Sequence, residues 1–162
     1  MCGELMSWWI LPTTADIGFR AFAETPEEIF RQSSLALQGI QLSEDGEAFL
    51  EGHLRNVSEW SSELPNGDLE RGLVRWLEEV LFQGSVENRW LVEMQAVIEE
   101  GAVSVQVLWV DSEDVELEVE VKAVTLHNLI FRQVGDDEVV DGVDGVPSFE
   151  GPGWMAQVIL DI

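Results

Sequence analysis

Two aspartates are the residues whose setting most strongly suggests chemistry. Asp16 stands alone as a charge in the run Ser7–Phe19, and Asp161 follows an apolar stretch and precedes Ile162, which carries the terminal carboxylate. If the two stretches are neighbouring strands, three carboxylates converge, and they repel one another unless a cation or a proton intervenes. Oxygen-only ligands select a hard ion such as Ca²⁺ or Mg²⁺. Spacing alone leaves a second interpretation open, in which Asp16 caps a loop and the C-terminus is solvated.

Other combinations of reactive residues are weaker. Cys2, His53 and His127 are scattered, and a cysteine so close to the N-terminus is poorly anchored to act as a nucleophile. The acidic, glycine-rich stretch 135–153 is dense in oxygen ligands, but its acids do not follow EF-hand spacing, so we interpret it as a solvated loop. It also lacks the lysine and the strand-to-helix context of a phosphate-binding loop.

The N-terminal elements place the first aspartate at the start of a strand. An apolar run at 7–11 predicts a short strand, and alternation over 17–23 predicts a second, half-buried one. A helix is predicted next, because Thr25 can cap it, a proline follows at the first helical position and Glu28 completes a capping box. Its apolar stripe is expected to pack on the sheet, and Gly39 is expected to end it.

The middle of the chain is predicted to alternate strands with a second helix. We predict a strand at 48–57 and a loop at 58–67, which is rich in serine and also contains proline, asparagine and glycine. Asp68 is the predicted cap of an amphipathic helix, whose apolar residues recur every three or four positions. Strands are then predicted at 90–99 and 102–110, joined by a turn.

The C-terminal part is predicted to be mainly strand. A long alternating run at 113–134 predicts a strand, 135–153 an exposed loop, and 154–162 a closing strand that contains the second aspartate. Two helices among roughly seven strands indicate one α+β domain over residues 1–162. We expect two layers, with a mixed or antiparallel sheet packed by the two helices.

The charge balance limits the possible partners. Asp and Glu number 32 against 8 Lys and Arg, for a net charge of −24, and Lys122 is the only lysine. Direct nucleic-acid binding is disfavoured, because affinity for phosphates depends on clustered Lys and Arg. Either a basic protein partner or a cytoplasm salty enough to screen self-repulsion accounts for the charge. A single cysteine suits a reducing cytoplasm, the predicted location, and no apolar stretch is long enough to span a membrane.

Four stretches, taken in order, resemble the motifs of the archease family. The sequence TTADIGFRAFAETPEEIF at 13–30 resembles the family's T-A-D strand and the helix after it, and LERGLVRWLEEVLF at 69–82 resembles its second helix. EVKAVTLHNL at 120–129 resembles its V-K-A-V-T-Y-H motif, and WMAQVILDI at 154–162 its terminal strand. One motif alone is weak, but four in order across nearly the whole chain are specific.

This resemblance implies both a fold and a role. The fold is the SHS2-like, archease-type α+β arrangement, and the role is to activate a GTP-dependent RNA-splicing ligase of the RtcB type by promoting its guanylylation. The implied partner is thus a protein, and no covalent chemistry is expected of the chain itself. The family's divalent-metal site, usually assigned as calcium, corresponds here to Asp16, Asp161 and Ile162, with Mg²⁺ or Mn²⁺ as alternatives.

Two positions depart from the family pattern. Thr13 stands where the family has a histidine, and Leu126 where it has a tyrosine. These departures motivate a second hypothesis, in which the chain is a binding or chaperone-like module for another RNA-modifying enzyme. A third, a hydrolase using paired carboxylates as acid and base, needs a concave pocket beside Asp16. We predict ligase activation as the function.

Overall fold

Three α-helices and ten strands make up the part of the chain that the computed structural model describes, residues 7–12 and 16–162. The helices are α1 (Pro26–Gln41), α2 (Glu44–Gly52) and α3 (Leu69–Ser85). The strands are β1 (Trp8–Ile10), β2 (Ile17–Ala23), β3 (Asn56–Glu63), β4 (Arg89–Glu99), β5 (Ala102–Asp111), β6 (Ala123–Val124), β7 (Ile130–Val134), β8 (Val139–Val140), β9 (Phe149–Glu150) and β10 (Gly153–Asp161). Single 3₁₀ turns lie at Pro65–Gly67 and Ser112–Asp114.

Two larger antiparallel sheets contain eight of these strands, and β8 and β9 form a separate two-stranded sheet. The larger has the order β1-β2-β10-β6, with β7 also paired to β10, so β2 and the C-terminal strand β10 lie side by side at its centre. The smaller has the order β3-β5-β4. Its β4–β5 hairpin turns at Gly101, whose φ of 78° is a conformation that glycine adopts without a steric penalty. The predicted strands 90–99 and 102–110 and the turn between them are thereby confirmed.

Both sheets turn one face toward α1 and α3, and these faces share one core. Both helices and both sheets contribute fully buried core residues, among them Phe19 of β2, Phe30 of α1, Trp76 of α3, Val105 of β5 and Leu160 of β10. Burial of such side chains contributes roughly 1.5–3 kcal/mol each, which makes this core the main source of stability. The predicted α+β class, with helices packed on antiparallel sheet, is confirmed. None of the described helices is long and apolar enough to cross a membrane.

The start of α1 follows its sequence signals, but its end does not. Thr25 Oγ1 accepts a hydrogen bond from the backbone N–H of Glu28 at 3.2 Å, so the predicted cap is confirmed. The prediction that Gly39 ends the helix is wrong, because α1 continues to Gln41. A Cβ at Gly39 would lie 2.8 Å from Cζ2 of Trp8, so this glycine makes room for the β1 tryptophan.

The predictions for 48–57 and 58–67 are both wrong. Helix α2 covers the first half of the expected strand, and β3 begins only at Asn56 and fills much of the expected loop. Ser43 Oγ accepts a hydrogen bond from the backbone N–H of Gly46 at 3.0 Å and caps α2, whose first turn is acidic. A cap followed by acids favours a helix start, and this signal outweighs the short apolar alternation behind it.

The long strand predicted at 113–134 is also wrong. Strand geometry is confined to β6 and β7, and 115–122 is irregular. The end of α1 takes up its backbone donors instead, since Glu118 N–H donates to Gln41 O at 2.9 Å and Val121 N–H donates to Gln41 Oε1 at 3.1 Å. These donors are therefore unavailable to a neighbouring strand, which explains why the alternating pattern does not form one.

Most residues of the stretch 135–153 are exposed, as predicted, but part of the stretch packs on the second face of the larger sheet. It contains the β8–β9 hairpin, and Phe149 stacks on Phe22 of β2 with ring centroids 4.7 Å apart. Val146 is buried beneath it, in a small cluster that also contains Met155. The centre of the larger sheet is thus covered on both faces.

Candidate functional site

The pairing of β2 with β10 brings Asp16 and Asp161 to the same end of the larger sheet. The antiparallel register runs from Trp154 opposite Ala23 to Leu160 opposite Ile17. Continued by one residue, the same register sets Asp16 opposite Asp161. Directly opposed residues of an antiparallel pair have Cα atoms about 4.5–5.5 Å apart and side chains on the same face.

Both aspartates belong to the face of the sheet that points away from α1 and α3. Strand alternation puts them on the same face as Arg20 and Gln157, an opposed pair in which Arg20 Nε donates to Gln157 Oε1 at 2.8 Å. Asp16 and Asp161 are both exposed, and Ile162 is 45% exposed. The three predicted ligands therefore lie at a solvent-accessible rim of the sheet, beyond the covered centre.

A glycine allows close packing at the pair of opposed strand residues next to the aspartates. Gly18 lies opposite Ile159, one alternation inward on the same face. A Cβ at Gly18 would lie 2.6 Å from Ile159 Cδ1 and 3.0 Å from the backbone oxygen of Val158. A larger residue would require the Ile159 side chain to move, so glycine allows the close packing of β2 against β10 next to the two carboxylates.

The segment around β6 holds the other edge of β10. Lys122 N–H donates to Asp161 O at 2.8 Å, and both the backbone N–H and Oγ1 of Thr125 donate to Ile159 O, each at 3.0 Å. Lys122 and Thr125 belong to the 120–129 motif, so the structure gives this motif a positional role. It fixes the backbone of the strand end that carries the second aspartate.

The predicted donor set at this rim consists of carboxylate oxygen atoms. Two aspartates and the terminal carboxylate of Ile162 have the chemistry that suits a hard divalent cation and is unsuited to a soft one. Within residues 7–12 and 16–162, no group of three or more His, Cys, Asp or Glu side chains is arranged to hold a metal ion. A site with two aspartates thus depends on the terminal carboxylate or on solvent for its remaining ligands, and it stays a prediction.

The two histidines lie in different parts of the described chain and do not form a common site. His53 follows α2 and packs on Phe49, with ring centroids 4.5 Å apart, whereas His127 lies in the connection between β6 and β7. Cys2 and Thr13 lie outside the described residues. In the described part of the chain, three cavities of about 540, 450 and 230 Å³ are lined by side chains other than the two aspartates, so none of these three is the pocket that the hydrolase hypothesis requires.

A second concentration of acids, which the sequence did not predict, is centred on Arg31. Its Nε and Nη2 atoms donate to the two carboxylate oxygens of Glu93 at 2.7 and 2.9 Å, and Nη1 donates to Glu28 at 2.6 Å. Burial alone raises the pKa of Glu93, but the Arg31 bonds and the N–H of Met94 outweigh it and lower that pKa below its ordinary value of 4.5. The i,i+3 spacing of Glu28 and Arg31 is visible in the sequence, but the third member comes from a distant strand.

Comparison with known proteins gives consistent results over the whole fold. Residues 8–162 match the sequence model of the Archease protein family (MTH1598/TM1083). A relative described as Protein archease, from Methanosarcina mazei, is 30% identical, with 94% of this chain and 93% of that protein covered. Another of the same description, from Pyrococcus furiosus, is 27% identical, with coverage of 98% and 100%.

One solved structure resembles the fold. The solution structure of Methanobacterium thermoautotrophicum protein 1598 superposes with a TM-score of 0.59 and covers 98% of this chain and 100% of that one. The sequence identity is 24%, so this likeness bears on the fold alone.

Proposed function

The chain belongs to the archease family, and from this premise we propose that it activates a GTP-dependent RNA-splicing ligase of the RtcB type without doing covalent chemistry itself. The ligase joins RNA ends, and the step that the chain is proposed to promote is the guanylylation of the ligase. The proposal extends what the family resemblance implies, and the two aspartates are the residues proposed to carry it.

One observation supports this proposal above the others, the register that runs toward Asp16 and Asp161 at one rim of the sheet. Two carboxylates held on opposed positions repel each other, and this repulsion costs stability unless a cation offsets it. The register therefore brings the two proposed ligands to positions from which one hard cation could contact both.

Asp16, Asp161 and the terminal carboxylate of Ile162 are the groups we propose to hold the divalent cation, Ca²⁺ in the first instance. A bound hard cation would neutralise the carboxylates and offer a Lewis-acidic surface to phosphate or carboxylate oxygens. The chain's own contribution is to orient these groups, through the β2–β10 pairing and the Lys122 and Thr125 hydrogen bonds described above.

The surface charge is proposed to guide the encounter with the ligase. A net charge of −24 would attract the basic surface that an RNA-binding enzyme presents to its substrate. Attraction of this kind raises the association rate more than the final affinity, and it weakens as salt screens the charges. Stimulation at limiting concentrations of the chain is therefore expected to fall with rising ionic strength.

The proposal is tested by following guanylylation of a purified ligase of this type with labelled GTP. Addition of the wild-type chain should accelerate covalent labelling of the ligase. Asp16→Ala and Asp161→Ala should each abolish most of the acceleration, because each removes a proposed ligand. Asp137→Ala is the matched control, since this aspartate is also exposed but lies in the turn between β7 and β8.

Circular dichroism would show that the three variants keep the wild-type fold. Full stimulation by both rim variants would refute the role of the aspartates. A wild-type chain that leaves the labelling rate unchanged would refute ligase activation itself.

One observation bears on the alternative, a binding module for another RNA-modifying enzyme. Leu126, where the family has tyrosine, is 69% exposed, so any partner that contacts this position meets an altered surface. If the wild-type chain is inactive toward the ligase but Leu126→Tyr stimulates guanylylation, the departure has changed the partner. If both are inactive while the fold is intact, the alternative is favoured.

A further inference from the structure

A groove separates the C-terminal half of α3 from the segment 112–123. Its volume is about 540 Å³, within the range of roughly 300–1,000 Å³ that is typical of ligand sites. One face of α3 forms the first wall with Glu78, Leu81, Phe82 and Ser85, which are spaced as helical neighbours. The opposite wall is the irregular segment, and it includes Leu117.

Two large apolar side chains in this groove remain uncovered by the fold. Phe82 is 45% exposed and Leu117 is 40% exposed, one on each wall. Below them, Val121 and Trp90 are buried and form an apolar floor. A partner side chain that entered between Phe82 and Leu117 would remove apolar surface of both walls from water, which is favourable.

The charges around the groove are unbalanced. Glu78, Glu113 and Glu120 line it, against one basic residue, Lys122. Across residues 7–12 and 16–162, none of these four side chains takes part in an ion pair. This excess of carboxylates disfavours anionic ligands, nucleic acid included, and favours a cationic one.

The walls are held in place before any partner arrives. Gln41 of α1 fixes the segment through its backbone oxygen and Oε1, and Gln38 Nε2 donates to Leu91 O at 3.1 Å, which joins α1 to β4 beneath the groove. At its far end, Lys122 N–H is bonded to Asp161 O. Because the groove is already formed, binding does not have to pay an entropic cost for ordering its walls. One end of the groove lies beside the rim that carries the two aspartates.

We propose that this groove binds a basic, amphipathic peptide segment of a protein partner. A large apolar side chain of the segment enters between Phe82 and Leu117, and arginine or lysine side chains on its flanks meet Glu78, Glu113 and Glu120. The occupant is inferred from the charges and the two uncovered apolar side chains, independently of the RNA-ligase proposal.

A synthetic peptide with leucines flanked by arginines is the probe, titrated into the isotopically labelled full chain and followed by NMR. Amide signals of 78–85 and 112–123 and the indole N–H of Trp90 should shift together, while those of β3 should not. The triple variant Glu78→Gln/Glu113→Gln/Glu120→Gln should lose about tenfold in affinity, because each charge contact contributes a few tenths to one kcal/mol.

Two matched variants separate this proposal from general attraction to an acidic protein. Glu47→Gln/Glu51→Gln/Glu87→Gln removes the same charge outside the groove and should keep the wild-type affinity. Phe82→Ser/Leu117→Ser should weaken binding by about tenfold or more through lost apolar contact, whereas Val57→Ser/Val97→Ser, on the open face of the smaller sheet, should not. Equal losses in the two charge triples, shifts spread over the whole chain, or no binding would overturn the proposal.

Discussion

The Arg31 cluster and the Asp16–Asp161 rim show two ways in which this acidic chain places carboxylates close together. At the first, Arg31 is largely buried, with its side chain 12% exposed, and bonds both oxygens of Glu93 as well as Glu28. At the second, opposed strands bring two aspartates to an exposed end of the sheet. Among the described residues, the side chain of Asp161 makes neither a hydrogen bond nor an ion pair.

The difference indicates which carboxylates serve the fold. Glu93 has its counter-charge on α1, and its bonds join that helix to β4 of the smaller sheet, so its contribution is structural. At the rim, the pairing of two strands has put like charges beside each other without a basic partner for Asp161 in the described part of the chain. A carboxylate whose counter-charge is external responds to added cations, and one whose counter-charge is internal does not.

The largest expected effect is on stabilisation by calcium. At a free Ca²⁺ concentration about one hundred times the dissociation constant, wild-type unfolding should require about 2.7 kcal/mol more than without the ion. Asp161→Asn should lose most of this gain, because it removes a charged ligand. Chemical denaturation of each protein in added Ca²⁺, and separately in excess chelator without Ca²⁺, measures the gain in the free energy of unfolding.

Glu93→Gln is the control that sharpens the comparison, since it should gain as much from Ca²⁺ as the wild type does. If Asp161→Asn retains the full gain, or if Glu93→Gln loses it, the assignment of external and internal counter-charges is wrong.

The next effect in size is on intrinsic stability. Arg31→Gln should lower the free energy of unfolding by about 2 kcal/mol, because it leaves two carboxylates near each other and removes charge-assisted hydrogen bonds of a largely buried group. Arg71→Gln should change it by less than about 0.5 kcal/mol, since Arg71 is 74% exposed and lies 3.6 Å from Asp68. Urea denaturation compares the two, and equal effects would contradict the structural role of Arg31.

The smallest effect is a dependence on pH. The lowered pKa of Glu93 means that its stabilisation is fully present above the ordinary value of 4.5 and is lost as the pH falls through the lower, folded-state value. Glu93→Gln should therefore be less stable than the wild type at neutral pH by about 1 kcal/mol, reduced by partial solvation, and this gap should close in acid. If the difference in unfolding free energy between Glu93→Gln and the wild type stays constant from neutral pH to well below 4.5, the ionised carboxylate is not its source.

Glu99→Gln controls for the loss of a negative charge from the same strand. Glu99 is exposed at the end of β4, so its replacement should show no such closing gap.

Local signals predicted those elements whose cause is local. The Thr25 cap and the Asp68 cap mark the starts of α1 and α3, because the capping oxygen and the N–H groups that it satisfies lie within one turn. Ser43 gives the same kind of signal, and reading it would have replaced the strand predicted at 48–57 by α2. The strand predicted at 113–134 could not be corrected in this way, because Gln41 competes for its donors from a distant part of the chain.

The sequence by itself determined the helix starts, the half-buried strand that follows Asp16, the acidity and the four motifs of the family. Only the tertiary structure decided that β10 returns antiparallel to β2 in a register that aligns the two aspartates, and that Arg31 lies where Glu93 can reach it. The physical reason is the distance along the chain over which each interaction acts. Caps and periodicity act over a few residues, whereas pairing between remote strands is fixed by which apolar faces can be buried together.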